Sequence, residues 1–225
     1  MRGLEPELWR KVIKSIEDIV VKGCYVSVNR FISFSLDSYL RGVALRLVKG
    51  SQVVLDCGCG PAPLLNKIEG EVICLDPSYL LLKILRKADS GVHPVCGIAE
   101  MMPLRDKSVD ASISLFSVRD FMDRCKAVLE YERVTKLRVV IVDVFKPENF
   151  LLRLLAAAYL SFIVPLMALA LAGRTGYRWR LLYDTFNRMV SPKALASTFK
   201  HFRLKTVITF FGGFLSLIDL VKVYE

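Results

Sequence analysis

The sequence predicts an α/β fold in which helices cover both faces of a mostly parallel sheet. Short apolar runs alternate along the chain with longer segments of helical periodicity, the pattern of folds built from strand–helix–strand units. The first apolar run, 53–55, leads into a glycine-rich turn, and the second ends at Asp76, twenty residues after Asp56. The chain has 225 residues, the length of one domain with a buried core.

Seven strands are expected, together with a helical cap and a helical lid, all within a single domain, 1–225. The strands are placed at 52–56, 71–75, 92–96, 109–115, 137–144, 204–211 and 215–223. Residues 1–45 form the cap, because Leu8, Val12 and Ile16 recur at helical spacing among charged residues. Residues 149–185, which are apolar and basic, form the lid as an insertion before the last two strands.

The turn after the first strand indicates a nucleotide-type ligand. Its sequence at 56–61 is Asp-Cys-Gly-Cys-Gly-Pro; glycines let the backbone approach a ligand where a Cβ would clash. Asp76, at the tip of the second strand, is placed to accept hydrogen bonds from a ribose diol. A dinucleotide needs a third glycine and free N–H groups for its phosphates, but positions 61 and 63 are prolines. S-adenosyl-L-methionine (SAM), which has no phosphate, fits better. The alternative is that Asp56 and the glycines only form a turn, which leaves the spacing of Asp76 unexplained.

Four further segments carry a resemblance to a known family. The segments at 97–104 and 108–116, Gly-Ile-Ala-Glu-Met-Met-Pro-Leu and Ser-Val-Asp-Ala-Ser-Ile-Ser-Leu-Phe, resemble the third and fourth strands of class I SAM-dependent methyltransferases. The segments at 25–36 and 116–123, which contain Tyr-x-x-x-Asn and Phe-Ser-Val-Arg-Asp, resemble elements of the ubiquinone/menaquinone biosynthesis C-methyltransferases. Order and spacing match from about residue 25 to 148.

This resemblance implies a Rossmann-like class I methyltransferase fold, with SAM as cofactor and a prenylated quinol or similar apolar aromatic as the substrate that is methylated on carbon. The chain departs from the family pattern at Ile98, where an acidic residue is usual, and at Asp120, where the family has asparagine. Two alternatives therefore stay open. One is a methyltransferase for another small molecule or lipid, and the other is a catalytically silent SAM-fold module that binds a membrane or a partner.

The candidate site residues come from these motifs. The residues expected to bind the cofactor are Tyr25, Asp56, Gly58, Gly60, Asp76, Pro77, Ala99, Glu100, Phe116 and Ser117. By resemblance, Asn29 closes the cofactor site together with Tyr25. Arg119 and Asp120 are the candidate catalytic pair that binds substrate or moves a proton, and their alternative is a surface ion pair or helix cap. No metal is expected, because the six cysteines form no C-x-x-C pair; we interpret them as buried apolar residues of a reducing compartment.

Charge and hydropathy single out the lid. Residues 154–172 are nineteen residues without a charge, and residues 173–205 carry a net charge of +7 within a chain of +10. This segment fits a membrane span, an element in the membrane interface whose arginines face anionic headgroups, or a helical lid over the active site. We expect a cytoplasmic protein, with peripheral contact to the inner face of the membrane through 150–180. The patch is joined to aliphatic surface rather than to exposed aromatic rings, so nucleic acid is a less favoured partner. An oligomer is compatible with the sequence.

Overall fold

The computed structural model describes residues 3–61, 68–88 and 91–223. Its seven strands form one sheet in the order β3-β2-β1-β4-β5-β7-β6. The strands are β1 (Val53–Cys57), β2 (Glu71–Asp76), β3 (Val92–Cys96), β4 (Val109–Leu115), β5 (Thr135–Val144), β6 (Phe202–Phe210) and β7 (Leu215–Lys222). Strands β1 to β5 pair in parallel, and β7 runs antiparallel between β5 and β6. The predicted α/β fold with a mostly parallel seven-stranded sheet is confirmed, with strand ends shifted by one or two residues.

Helices cover both faces of the sheet, as the nearly continuous burial of its central strands requires. The helices are α1 (Pro6–Val21), α2 (Tyr25–Ile32), α3 (Leu36–Leu47), α4 (Tyr79–Ala88), α5 (Arg124–Val134), α6 (Phe150–Ala158), α7 (Val164–Ala172), α8 (Leu181–Phe186) and α9 (Pro192–Ala196). On β1, Val54 packs into the core that contains α3 and α4, whereas Leu55 packs into the core that contains α5 and α9. The prolines at 61 and 63 also predict the start of a helix, because proline suits a first helical turn; this helix start falls on residues outside the described ones.

The chain order places a crevice at the end of β1. From β1 the chain runs outward through β2 to β3, and it then crosses back to β4 on the other side of β1. Ligands of open parallel sheets bind at the carboxyl ends of the strands where the strand order reverses in this way. The glycine turn after β1 and the residues after β2 and β4 therefore meet at one edge.

Cap and lid share a core of their own above that edge. Ile19, Val28 and Ile32 from α1 and α2 pack with lid residues that include Leu160 and Trp179. The lid is helical, as predicted: a π-helical turn, Tyr159–Ile163, joins α6 to α7, and a 3₁₀ segment, Gly173–Arg180, joins α7 to α8. Residues Phe150–Phe186 are long and apolar enough to cross a membrane by length and composition alone, and 22% of the apolar window is buried.

Candidate active site

A cavity of about 440 Å³ lies at the carboxyl edge of the sheet, below the cap and the lid. Eleven of the twelve predicted site residues line it, and so does Asn29. These eleven are Tyr25, Gly58, Gly60, Asp76, Pro77, Ala99, Glu100, Phe116, Ser117, Arg119 and Asp120. The twelfth, Asp56, lies behind the glycine turn and is 2% exposed. The fold thus brings together residues that are up to ninety-five positions apart in the sequence.

The two glycines of the turn have different tasks. Gly58 and Gly60 have φ values of 72° and 54°, which L-residues with a side chain rarely adopt. A Cβ at Gly58 would lie 2.4 Å from the Cβ of Ser117, so this glycine lets the turn pack on the end of β4. A Cβ at Gly60 would meet no atom of the described residues within 4 Å, and Gly60 lines the cavity. Gly60 therefore leaves space for a ligand.

Asp76 holds the turn at the tip of β2. Its Oδ2 accepts from the Gly60 N–H at 2.8 Å, and its Oδ1 accepts from the Ser78 N–H at 2.8 Å. Burial raises the pKa of this carboxyl, and the two backbone hydrogen bonds oppose that rise. Each carboxylate oxygen can accept a further hydrogen bond, so the side chain remains able to bind the hydroxyls of a ribose.

Asp56 is a buried carboxyl whose bonding capacity is only partly used. Its Oδ1 has no hydrogen-bond partner among the described residues. Burial raises its pKa to about 7, and the Arg41 guanidinium opposes that rise. Because this oxygen is enclosed behind the glycine turn and Asp56 does not line the cavity, Asp56 would act on a ligand through its charge rather than through direct contact.

Glu100 and Ser117 bond to the wall of the cavity. Glu100 Oε1 accepts from the backbone N–H groups of Met122 and Asp123, at 2.7 and 3.0 Å. The Ser117 hydroxyl donates to the Cys57 carbonyl oxygen at 2.8 Å. Glu100 thus fixes the segment after β4 to the segment after β3, and Ser117 fixes it to the end of β1. Any contact that these side chains make with a cofactor is additional to these bonds.

Arg119 and Asp120 form a buried pair on a short 3₁₀ helix, Val118–Asp120, after β4. They do not lie at the surface, since they are 9% and 8% exposed. Arg119 Nη1 donates to Asp143 Oδ1 and to the Phe116 carbonyl oxygen, both at 2.8 Å, and its Nη2 lies 3.6 Å from Asp120 Oδ2. The guanidinium is thus held firmly by Asp143 and only loosely by Asp120.

Asp120 is the member of this pair with free bonding capacity. Its Oδ1 is buried and has no hydrogen-bond partner among the described residues. Burial raises its pKa to about 6, against the lowering effect of Arg119. A carboxyl with this pKa is largely ionised at neutral pH and can still take up a proton, which are the properties of a general base.

Comparison with known proteins decides the family. A family described as "Methyltransferase domain" matches residues 55–142. The chain is 30% identical over 171 residues to the demethylmenaquinone methyltransferase of Chlorobaculum parvum, covering 71% of this chain and 70% of that protein. The chain belongs to the class I SAM-dependent methyltransferases, in the family of the demethylmenaquinone methyltransferases. It is also 27% identical over 168 residues to the ubiquinone/menaquinone biosynthesis C-methyltransferase of Syntrophotalea carbinolica, covering 69% of this chain and 71% of that protein.

Solved structures agree on the fold of this methyltransferase. A SAM-dependent methyltransferase from Thermotoga maritima superposes with a TM-score of 0.67 at 19% identity, covering 93% of this chain and 99% of that one. The geranyl diphosphate C-methyltransferase of Streptomyces coelicolor, solved with S-adenosyl-L-homocysteine, superposes with a TM-score of 0.57 at 12% identity, covering 83% and 80%. These likenesses confirm the Rossmann-like fold, and the cofactor of the methyltransferase is SAM.

The cavity fits SAM on observations of this structure. A Cβ at Gly60 would meet no atom of the described residues, and Asp76 at the cavity wall keeps acceptor capacity. Asp76 would hold the ribose hydroxyls, and the turn at 58–60 would receive the methionine end. Ile98 and Ala99 line the cavity beside them and would contact the adenine.

Two residues that line this cavity, Arg41 and Trp179, and one buried residue behind it, Asp143, are not predicted from the sequence. Arg41, Trp179 and Asp143 carry no motif, and they reach the site only through the packing of α3, the lid and β5. Trp179 Nε1 donates to Asn29 Oδ1 at 2.9 Å, so Asn29 ties the lid to the cap in this structure. The short spacing Asp37-x-x-x-Arg41 on one helix face was the only available hint of a charged site in the cap.

Proposed function

We propose that this methyltransferase transfers the methyl group of SAM to a ring carbon of an apolar aromatic of the prenylated quinol class, at the inner membrane surface. The observation that carries the proposal is the composition of the cavity. Beyond the cofactor end its wall is almost wholly apolar, with side chains from α1, α2 and α6, and the buried pair Arg119–Asp120 lies within that wall. The demethylmenaquinone methyltransferases among its relatives support this substrate class.

The reaction requires the protein to position the substrate against SAM and to accept one proton. SAM supplies a methyl group that is already activated by the sulfonium charge. A hydroquinone becomes nucleophilic at its ortho carbon when a phenolic proton is removed, and Asp120 would accept that proton. The ortho carbon then forms the new C–C bond as the C–S bond of the sulfonium breaks, which leaves S-adenosyl-L-homocysteine. The proton on that carbon is lost to water, and the phenolic oxygen takes back the proton held by Asp120, which restores the aromatic quinol and the carboxylate. The closed apolar wall excludes water from this exchange.

Arg119 supports the same step through charge. Its Nη1 bonds to Asp143 fix the guanidinium beside Asp120, and its buried Nε has no hydrogen-bond partner among the described residues. A fixed cation next to a developing phenolate stabilises the negative charge where it forms. Asp143 acts as the positioning residue, because it holds both the backbone N–H and the side chain of Arg119.

The mouth of the cavity supports delivery of the substrate from a membrane. Phe34, Leu155 and Phe211 line the cavity and are also 65%, 57% and 58% exposed. They continue into the exposed apolar side of the lid, where Phe162 and Leu166 are 74% and 66% exposed. Apolar patches of this kind mark interaction sites rather than ordinary surface.

The arginines that follow α7 lie beside this apolar surface. Gly173 ends the helix with φ 56°, and Gly176 packs so closely on α7 that a Cβ there would lie 2.1 Å from the Ala168 carbonyl oxygen. The chain thereby turns back along α7, and it carries exposed Arg174 and Arg180 with it. A helix that combines an apolar face with adjacent cations suits the interface of an anionic membrane.

The substrate class is tested by label transfer into extracts of the host. The purified protein is incubated with methyl-labelled SAM and a host lipid extract reduced with dithionite, and total RNA serves as the parallel acceptor. We expect label in a quinone-like lipid and none in RNA. Label in another lipid or small molecule would replace the proposed substrate, label in RNA would replace the substrate class, and no label in any fraction would favour a silent binding module.

A further inference from the structure

A buried arginine of the cap faces the cavity with no hydrogen-bond or ion-pair partner among the described residues. Arg41 on α3 is 7% exposed and lines the cavity. Within residues 3–61, 68–88 and 91–223 no hydrogen bond and no ion pair within 4.0 Å engages its guanidinium. The guanidinium stacks over the Phe116 ring, whose centroid lies 4.9 Å from Cζ. The other two buried arginines, Arg119 and Arg124, each donate to several backbone or carboxylate oxygens.

Burying this guanidinium without hydrogen-bond partners lowers the stability of the fold unless a ligand binds it. A guanidinium has five N–H donors and no acceptor. Most of the Arg41 side chain is buried, but its unpaired donors still open onto the cavity, where they keep only part of their hydration. Stacking on an aromatic face recovers only part of that loss. Phe116 itself has φ 70°, a strained value for a phenylalanine, so neither member of this stack is in an arrangement that packing alone favours. Both observations point to a bound anion.

The position of Arg41 identifies the anion. Phe116 follows β4, and Asp56 is the last but one residue of β1. The Arg41 guanidinium stacks on Phe116 and acts electrostatically on Asp56, so it lies where the ends of β1 and β4 meet. Asp76, which is placed for the ribose, lies on the opposite side of β1, at the end of β2. Of the two ends of SAM, the methionine end is therefore the one near Arg41.

We propose that Arg41 binds the α-carboxylate of the methionine end of SAM, with Phe116 as the platform that orients its guanidinium. The planar fork of an arginine matches a carboxylate with two parallel hydrogen bonds. SAM has no phosphate, so its carboxylate is the anion that the cofactor offers. This inference rests on the cofactor of the methyltransferase and not on the quinol substrate, and binding measurements test it without turnover.

The experiment compares two ligands that differ by that carboxylate alone. Isothermal titration of the purified full-length chain measures Kd for SAM and for decarboxylated SAM, in the wild type and in Arg41→Met, which keeps an apolar stem to pack on Phe116. We expect Arg41→Met to raise Kd for SAM on the order of ten- to one-hundred-fold, as for the loss of a charge-assisted hydrogen bond. Kd for decarboxylated SAM should change by less than about twofold, within ordinary measurement scatter.

A matched control and a second variant keep the outcome clear. Arg46→Met removes an exposed arginine one turn along the same helix and should leave both affinities unchanged. If Arg41→Met does not fold, Arg41→Lys is used, which keeps the charge but not the planar fork. It should also raise Kd for SAM and not for decarboxylated SAM, by a smaller factor than Arg41→Met. An equal loss of affinity for both ligands would assign Arg41 a structural role, and unchanged affinity for SAM would also overturn the proposal.

Discussion

The side chain of Asp120 sets the expected pH dependence of the reaction. Burial and the Asp143 carboxylate raise its pKa, Arg119, Arg124 and the Thr185 hydroxyl lower it, and the result is about 6. The base is active as the carboxylate, so kcat should fall about tenfold per pH unit below that value. Asp120→Asn should lose this acid limb and lower kcat by about 10²- to 10⁴-fold. Rates are measured from pH 5 to 7.5, with SAM affinity as the control.

Asp120→Asn should also change how the free energy of unfolding depends on pH. Asp120 binds its proton more tightly in the folded chain than at the unfolded pKa of 3.8. Its stabilising contribution is therefore complete below that value and is lost as the pH rises through about 6. Asp120→Asn should flatten the fall of the unfolding free energy between pH 4 and 6, measured by urea denaturation. Full turnover by the variant with an unchanged acid limb would show that another group is the base.

For single residues, the sequence predicts those site positions that are determined by local spacing along the chain. Gly58, Gly60 and Asp76 were found because a turn and a strand end have fixed positions relative to a parallel sheet. Glu100 was also placed at the cavity, but its bonds to the N–H groups of Met122 and Asp123 depend on a packing that no local pattern encodes. Arg41 was missed for a similar reason, since its partner is a ligand and not a neighbour in the sequence.

Among the elements, the lid depends most on one close contact. The 3₁₀ segment that carries Trp179 packs on α7 at Gly176, where a Cβ would lie 2.1 Å from the Ala168 carbonyl oxygen. Gly176→Ala should therefore force the segment away from α7 and destabilise the fold by about 1–3 kcal/mol, as overpacking does. Thermal unfolding should register this as a lower Tm, and limited proteolysis should cut the lid faster.

Gly42→Ala on α3 is the matched control for that change. A Cβ at Gly42 would have Arg46 Nη1 at 3.7 Å as its nearest neighbour, so the new methyl group has room. Removing a helix-interior glycine should stabilise the chain by about 0.5–1 kcal/mol. A Gly176→Ala protein with unchanged Tm and unchanged proteolysis would contradict the close contact between the lid segments.

The whole molecule combines a sheet that the sequence predicts well with a lid that it predicts only by type. The strands were placed to within two residues because their β-branched runs end at turns and strand-tip aspartates. The lid was predicted helical, but residues 154–172 are apolar on every side, so no periodicity shows which side faces the cavity. The reversal at Gly173, which brings Arg174 beside α7, is likewise a tertiary feature.

For the whole molecule, we predict that the lid contacts the membrane. The chain should sediment with vesicles of phosphatidylcholine and phosphatidylglycerol, and less with phosphatidylcholine alone, because the arginines face anionic headgroups. The double variant Phe162→Ser and Leu166→Ser should weaken this binding by at least tenfold, since each buried apolar side chain contributes about 1.5–3 kcal/mol. Leu129→Ser with Leu137→Ser, which removes exposed leucines elsewhere, is the control. Equal binding by all three proteins would show that the lid does not contact lipid.

The atom that receives the methyl group tests the central claim most directly. The purified protein is given SAM with a ¹³C-labelled methyl group and a chemically reduced prenylated quinone that lacks one ring methyl, and the product is examined by NMR. The cavity and Asp120 predict a ¹³C methyl on the ring carbon next to the phenol, with loss of the ring proton at that position. A ¹³C methoxy group on the phenolic oxygen, with the ring proton retained, would contradict methylation on carbon.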